Sequence, residues 1–549
     1  MLVQFRRWWQ QHPYTMPALL LAFWLSFTLG WRPLANPDEG RYATVALDMA
    51  YSHHWMVPLM NGLPFFHKPP LFYWITATAQ ELFGATVWAS RTASALGAWF
   101  MGMATYLFTR HYHGQQRATW TLLILATLPL YFAAAQYINL DMLIASMISL
   151  TILSGAHAAM RMVQGQPHGG WLWLAYVFAA LGLLAKGLIG IVLPAGVLVL
   201  WLAWLRQWRV VLRMLSVPGL VLFAAVGAPW FYFMEQQFPE FYHYFFVYQH
   251  FQRFTQGAAH NVQKFNNQHG AWFYFTILVL ACLPWTIWLA SAAKRWWPQR
   301  PTWRAMWAKP HSTEAMLRSL WIVWLIVIVG FFTLPKSKLV GYILPTLPAW
   351  AALLQLALQH QSRVRMQRTL QTAASLCVLA IAGFTWSTAR DSAQTVAQSL
   401  RHHMQNGDQI VMLDNYRYDL AFYLNKPLDY AWVVSDWHDP DIANTDNWRK
   451  ALAEAGTFDP AAQTHLLMMP QDLVPHMCEV LQQGRNVWIW ADPSSPQRYT
   501  FLQKLTADRA EGALHHRLAS VWHVAPTQAD SVLGCQQATA IAPSLSKPV

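Results

Sequence analysis

Charge is scarce in this chain. Only 11% of its 549 residues are Asp, Glu, Lys or Arg, where a soluble globular domain carries roughly a quarter. That argues against a water-soluble fold. Cysteine is scarce too. Four residues are too few for a small disulfide-built scaffold. Acids are outnumbered by bases, 25 to 38. A small-residue cleavage site is missing after the first apolar run, which follows Arg6 and Arg7, so that run reads as a retained first helix and not as a removed leader.

What is abundant is apolar and aromatic surface. Hydrophobic residues make up 55% of the chain, with 32 Trp, 29 Phe and 20 Tyr. A water-soluble chain of this length could not bury so much, whereas a bilayer solvates it. The formal net charge is +13. On a soluble protein that would suggest nucleic acid. Here the basic residues lie between apolar runs, so a membrane is the expected partner and nucleic acid is not.

About eleven apolar runs of roughly 17–25 residues are long enough to cross a bilayer. They are centred near Phe23, Phe100, Leu128, Met147, Tyr176, Leu198, Ala224, Val279, Val327, Leu353 and Leu379. Split or overlooked runs extend the expectation to about 11–13 transmembrane helices. With Arg6 and Arg7 in the cytoplasm, alternate loops carry Arg110 and Arg117, Arg161, Arg206 to Arg213, Lys294 to Arg318, and Arg363 to Arg368. These are the short basic loops that the positive-inside rule places in the cytoplasm. The opposite loops, 32–91 and 235–270, then face outward and hold almost all the acids of the membrane region. An odd number of spans puts the C-terminal region outside as well.

Composition changes near Arg390. The expected organisation is a membrane domain over 1–390 and a polar domain over 391–549. Strand-like runs at 410–413, 430–434, 465–469, 487–490 and 518–524 alternate with helix-like runs at 472–483 and 496–505, which predicts a small α/β domain. Cys282 and Cys377 fall within spans. Cys478 and Cys535 both fall in the outer domain, where an oxidising compartment lets a disulfide between them persist.

Several constellations on the outward side could carry chemistry. Asn36-Pro37-Asp38-Glu39-Gly40-Arg41-Tyr42 opens with two adjacent acids. On a helix these point about 100° apart, so one of them faces a site; alternatively Asp38 simply caps a loop helix. Phe65-Phe66-His67-Lys68-Pro69-Pro70 and Tyr73 place a lysine among aromatics, where a phosphate at headgroup depth is the natural partner. The bland alternatives are a snorkelling Lys68 and a hydrogen-bonding His67 in place of a metal ligand. Asp141 and Lys186 lie at the outer ends of spans, where they either face a polar cavity or merely cap and snorkel. Two further groups are His250 to Arg253, whose guanidinium suits a phosphate bidentately, and Lys336, Lys338 and Tyr342. Each is weak alone. Together they describe a cationic outer site with acids and aromatics.

Four of these blocks, in this order, carry a resemblance: Pro37-Asp38-Glu39 with Arg41-Tyr42; Lys68-Pro69-Pro70 with Tyr73-Trp74; His250-Phe251-Gln252-Arg253-Phe254; and Ser337-Lys338-Leu339 with Tyr342-Ile343-Leu344-Pro345. The chain resembles the aminoarabinose-transferase and protein O-mannosyltransferase group of GT-C glycosyltransferases. The resemblance implies a GT-C fold and sugar transfer from an undecaprenyl phosphate carrier, without a nucleotide donor. The acceptor would face the periplasm across the bacterial inner membrane, and lipid A phosphate is the acceptor of the branch that modifies lipid A. It further implies that Asp38 and Asp141 are site acids, that Lys68 and Arg253 lie near the carrier phosphate, and that Lys186 is a site lysine. Neither a metal nor another cofactor is required by such a transfer. His67 departs from that branch, which usually carries Glu before the Lys-Pro pair. Another amino sugar, or a glycan or protein acceptor, therefore stays open. A lipid-linked-sugar transporter is the alternative of a different class; broken helices at mid-membrane and pseudo-symmetric halves would favour it, and the sequence has neither.

Overall fold

The computed structural model describes residues 11–252, 269–296, 312–335, 337–425, 430–443, 447–492, 494–506, 513–516 and 519–535. Arg253 and Lys336 lie outside the described residues, and of His250 only the backbone is described. The chain forms two compact units. One comprises Met1–Arg32, Phe66–Ala259 and Lys264–Trp386. The other joins Pro33–Phe65 and His260–Gln263 to Ser387–Val549.

The first unit is helical, because only helices satisfy every backbone group of an apolar segment without water. Among the described residues six helices are long and apolar enough to span a membrane, and eight if each of two bent pairs is one span. Thr15–Ser26 and Ile189–Trp204 are shorter apolar helices. The chain is thus a multi-pass membrane protein. The count falls below the expected 11–13 partly because helix Thr92–Ala126 is interrupted. At Gly114 the backbone leaves the helical region (φ 80°, ψ 169°), so Thr92–Ala126 is two helices meeting at a kink, which the count takes as one. A further bend of 67° separates it from Pro129–Ala135.

Helix Leu140–Val163 lies at the centre of this unit, with its whole apolar window buried. Many of the tryptophans are interior. Trp201 donates its indole N–H to the Met316 carbonyl at 3.0 Å, and Trp324 to that of Pro345 at 2.9 Å. A buried indole thereby keeps its polar handle satisfied. Two arginines are buried as well. Arg91 donates to the carbonyls of Leu29 and Arg32, and Arg32 in turn to that of Gln136 at 2.6 Å, which fixes where the chain leaves the first helix.

The second unit contains helix Asp38–Ser52, a short hairpin of β1 (Leu59–Met60) and β2 (Leu63–Pro64), and a six-stranded sheet. Its strands are β3 (Gln409–Leu413), β4 (Trp432–Val434), β5 (Leu467–Met468), β6 (Val487–Ala491), β7 (Ala513–His516) and β8 (Ala519–Val524), in the order β5-β4-β3-β6-β8-β7. The first four are parallel and the last two antiparallel. All five residues of both β3 and β6 are buried, the mark of a parallel sheet covered on both faces. The expected α/β character holds, and five strand-like runs match five strands. β7 and the hairpin carried no recognisable signal. Cys478 and Cys535 form a disulfide with Cα atoms 5.4 Å apart, tying helix Leu473–Gln482 to the end of the described chain. Cys282 and Cys377 are buried free thiols.

Candidate active site

Helices Leu140–Val163 and Gly169–Lys186 are joined by a short connection, so the chain returns to the end it left. Asp141 sits in the first turn of one helix and Lys186 in the last turn of the other. Each charge therefore complements its helix dipole. The cap of the first helix is Asn139, whose side chain accepts the Asp141 N–H at 3.0 Å. The Asp141 carboxylate is not the cap. It forms an ion pair with the Lys186 ammonium, and the two side chains are only 10% and 14% exposed. Either charge alone would be costly at such burial, and together they compensate. Lys186 is thus held inward and does not snorkel.

A third segment closes over this pair. The Lys186 ammonium lies 4.9 Å from the centroid of the Tyr342 ring, a cation–π contact. Tyr342 in turn stacks on Phe332 at 5.1 Å. Next to it, Gly341 presses against Asp141: a Cβ there would stand 2.1 Å from Oδ2 and 2.8 Å from Cγ. Only glycine leaves room for the carboxylate. Asp141, Lys186 and Tyr342, all expected site residues, are therefore brought together. Lys338 is buried and donates to the Pro335 carbonyl of its own turn at 2.5 Å.

The lysine-proline motif packs on a second expected block. Phe66 is buried against Phe238 and Phe241 at 4.9 and 5.1 Å, and the His67 ring lies 6.3 Å from that of Tyr244. Lys68 is half-buried, and Tyr73 is wholly buried beside Phe72. The facing stretch, His243–Gln252, is a π-helix, a local distortion that is frequent at functional sites. The segments bearing Lys68 and His250 are thus neighbours. Among the described residues no group of three His, Cys, Asp or Glu side chains is arranged to hold a metal ion, so His67 belongs to no such group there.

In the second unit, Pro37 precedes helix Asp38–Ser52 and the Asn36–Pro37 peptide is cis. Asp38 is a first-turn residue and not the cap. The two adjacent acids diverge, as their spacing requires. Glu39 is completely buried, and its Oε2 accepts the Ala35 N–H at 2.8 Å, so it secures the turn that leads into the helix. The Asp38 side chain is 38% exposed and accepts from Arg41 at 2.7 Å. The Arg41 guanidinium lies over the rings of Tyr42 and Tyr418 at 5.1 and 5.7 Å. Of the two acids, Asp38 is the more exposed. Sequence reading overlooked Gly341, although it stands inside a quoted motif, and also Asp419, which is described below.

Residues 17–245 match the family described as dolichyl-phosphate-mannose-protein mannosyltransferase. An undecaprenyl phosphate-alpha-4-amino-4-deoxy-L-arabinose arabinosyl transferase of Erwinia tasmaniensis is 31% identical over 346 residues, 62% of this chain and 59% of that protein. One of two such transferases of Pseudomonas fluorescens is 29% identical over 362 residues, 65% and 62% of the two chains. The match thus spans about three fifths of the length of these curated relatives. Among solved structures, ArnT from Cupriavidus metallidurans bound to undecaprenyl phosphate superposes with a TM-score of 0.72. It is 22% identical, and the match covers 93% of this chain and 98% of that one. The chain therefore has the GT-C fold of that structure and, over about three fifths of its length, is similar in sequence to the aminoarabinose arabinosyl transferases.

Proposed function

We propose that the chain is a glycosyltransferase of the bacterial inner membrane. It moves 4-amino-4-deoxy-L-arabinose, or a closely related amino sugar, from undecaprenyl phosphate to a lipid A phosphate on the periplasmic side. The observation that carries this reading is the sequence similarity to transferases named for that donor. The enclosed Asp141–Lys186–Tyr342 arrangement at one end of two spanning helices supports it.

In the transfer, the bond between the sugar C1 and the carrier phosphate oxygen breaks, and an acceptor oxygen bonds to C1. The carrier leaves as a phosphate anion of low basicity, so a strong general acid is unnecessary. Charge stabilisation by fixed cations in a water-poor setting is what speeds such a departure. Lys68 and Arg253 take that part. Lys186, fixed by Asp141 and Tyr342, contributes a further positive charge. An acceptor phosphate is already ionised near neutral pH, so Asp38 orients the acceptor or the sugar. With a hydroxyl acceptor, Asp38 would serve as general base. By the positive-inside rule, the basic loops support a periplasmic position for the Asp38 segment and the C-terminal α/β domain.

Mass spectrometry of lipid A from cells with and without the protein tests the reading. Lipid A carrying one added aminopentose on a phosphate is expected only when the protein is present. Unchanged lipid A, together with a different glycosylated lipid or protein, would assign another acceptor.

A further inference from the structure

The contacts of the second unit converge on the residues flanking Asp38. Gly40, two residues after Asp38, lies against the backbone of Asp419. A Cβ at position 40 would stand 2.8 Å from the Asp419 nitrogen, 3.1 Å from its Cβ and 2.7 Å from the Asn36 Oδ1. Burial pushes the Asp419 carboxyl up from its ordinary value, while Arg417, the Ala393 N–H and the approach of Asn36, two residues before Asp38, each favour its charged form. Asp419 is completely buried. Its Oδ1 accepts from Arg417 Nε at 2.8 Å, and its Oδ2 accepts the Ala393 N–H at 2.9 Å. Arg417 reaches on to the Asp391 carboxylate at 3.0 Å.

Neighbouring residues reinforce this grip. The Tyr418 carbonyl accepts from Thr44 Oγ1 at 2.7 Å, and the Leu34 N–H donates to the Tyr423 hydroxyl at 2.7 Å. The Tyr418 ring lies under the same Arg41 guanidinium that bonds Asp38. A buried carboxylate is costly unless fixed donors hold it, and a group so held cannot drift. The turn on both sides of Asp38 is therefore shaped by Asp419, a buried residue more than 370 positions later.

We propose that Asp419 is a positioning residue for sugar transfer. It holds the Asn36–Gly40 turn, and through that turn the Asp38 carboxylate, so the C-terminal α/β domain takes part in catalysis without touching substrate. The inference rests on Asp38 being the central acid of the function proposed above. Misplacing a reacting or orienting group by about 1 Å can cost on the order of a hundredfold in rate.

The test uses the full chain purified in detergent, with undecaprenyl-phosphate aminoarabinose and lipid A as substrates. Asp419→Asn keeps the shape but turns one acceptor into a donor, and Gly40→Ala disturbs the same contact from the helix side. Each variant is expected to lower kcat by on the order of a hundredfold, with KM for the donor lipid held within about twofold. Binding of undecaprenyl phosphate alone should be unchanged. Adding either change to Asp38→Asn should cost little more, because the residues act as a unit. The proposal is overturned if kcat is unchanged in both variants, or if their losses multiply with that of Asp38→Asn. It is equally overturned if undecaprenyl phosphate binding fails in step with activity, since that marks a purely structural role. A wild-type chain that transfers no sugar would instead remove the function on which the proposal rests.

Discussion

Lys186 and Asp141 stand 45 positions apart in the sequence and form an ion pair at the shared end of two antiparallel helices, with the Tyr342 ring over the ammonium. Nearly complete burial makes each charge the condition for the other. An apolar pair would pack the same place at less cost.

This relationship predicts opposite outcomes for stability and for transfer. Asp141→Ala or Lys186→Ala alone leaves an uncompensated buried charge and should destabilise the protein by about 3–5 kcal/mol. The double variant Asp141→Leu with Lys186→Met should recover much of that loss and still be inactive. Thermal unfolding in detergent, run beside a transfer assay, decides the matter. A double variant that is both stable and active would reduce the pair to a structural detail.

The divergence of the first-loop acids predicts different losses at neighbouring positions. Asp38→Asn should severely reduce transfer while expression and unfolding temperature stay near wild type. Glu39→Ala removes the acceptor of a buried N–H, a change that typically costs about 1–3 kcal/mol. Its main effect should be on stability. Finding the catalytic loss at Glu39 and the stability loss at Asp38 would reverse the assignment.

Lys68→Ala and Arg253→Ala should each weaken binding of undecaprenyl phosphate. A charge-assisted contact is worth about 1.5–3 kcal/mol, or roughly tenfold or more. Arg253→Lys should recover only part of the loss, because the planar fork is gone. Unchanged affinity in the double variant would move the phosphate contact elsewhere, with Lys336 and Lys338 tested next.

Much of this was legible in the sequence, and what was not has physical reasons. Membrane spans announce themselves because length and apolarity alone define them. The parallel strands β3 and β6 were readable as short apolar runs for a similar reason. Asp141 and Lys186 were conspicuous because charges within apolar spans are rare, yet their pairing was not readable, since helix packing creates it. Gly341 and Asp419 illustrate the limit. A glycine that makes room for a distant carboxylate looks like any other glycine, and an aspartate at a helix start in a polar domain looks like a cap. Their roles lie in tertiary contacts between segments up to hundreds of residues apart, and no local pattern encodes such contacts.

The second unit should also respond to pH through Asp48. Burial is the main cause that pushes its carboxyl up from 3.8 to about 6, against a hydrogen bond from the Tyr430 hydroxyl and the nearby His54 charge. The folded form binds this proton more tightly than the unfolded form. The associated stability is therefore complete below about pH 4, and it is lost as pH rises through about 6. Asp48→Asn can keep the Tyr430 bond and should flatten that dependence. Unfolding midpoints measured from pH 4 to 8 check it, and an unaltered slope in the variant would contradict the assignment to Asp48.

The most direct measurement is transfer by the purified chain itself, with undecaprenyl-phosphate aminoarabinose as the only sugar source and lipid A as acceptor. Mass spectrometry follows the product. The account predicts lipid A gaining one aminopentose with release of undecaprenyl phosphate, no requirement for a nucleotide sugar, and far less product from the Asp38→Asn variant. An intact donor after incubation with well-folded wild-type protein, or equal product from Asp38→Asn, would contradict it.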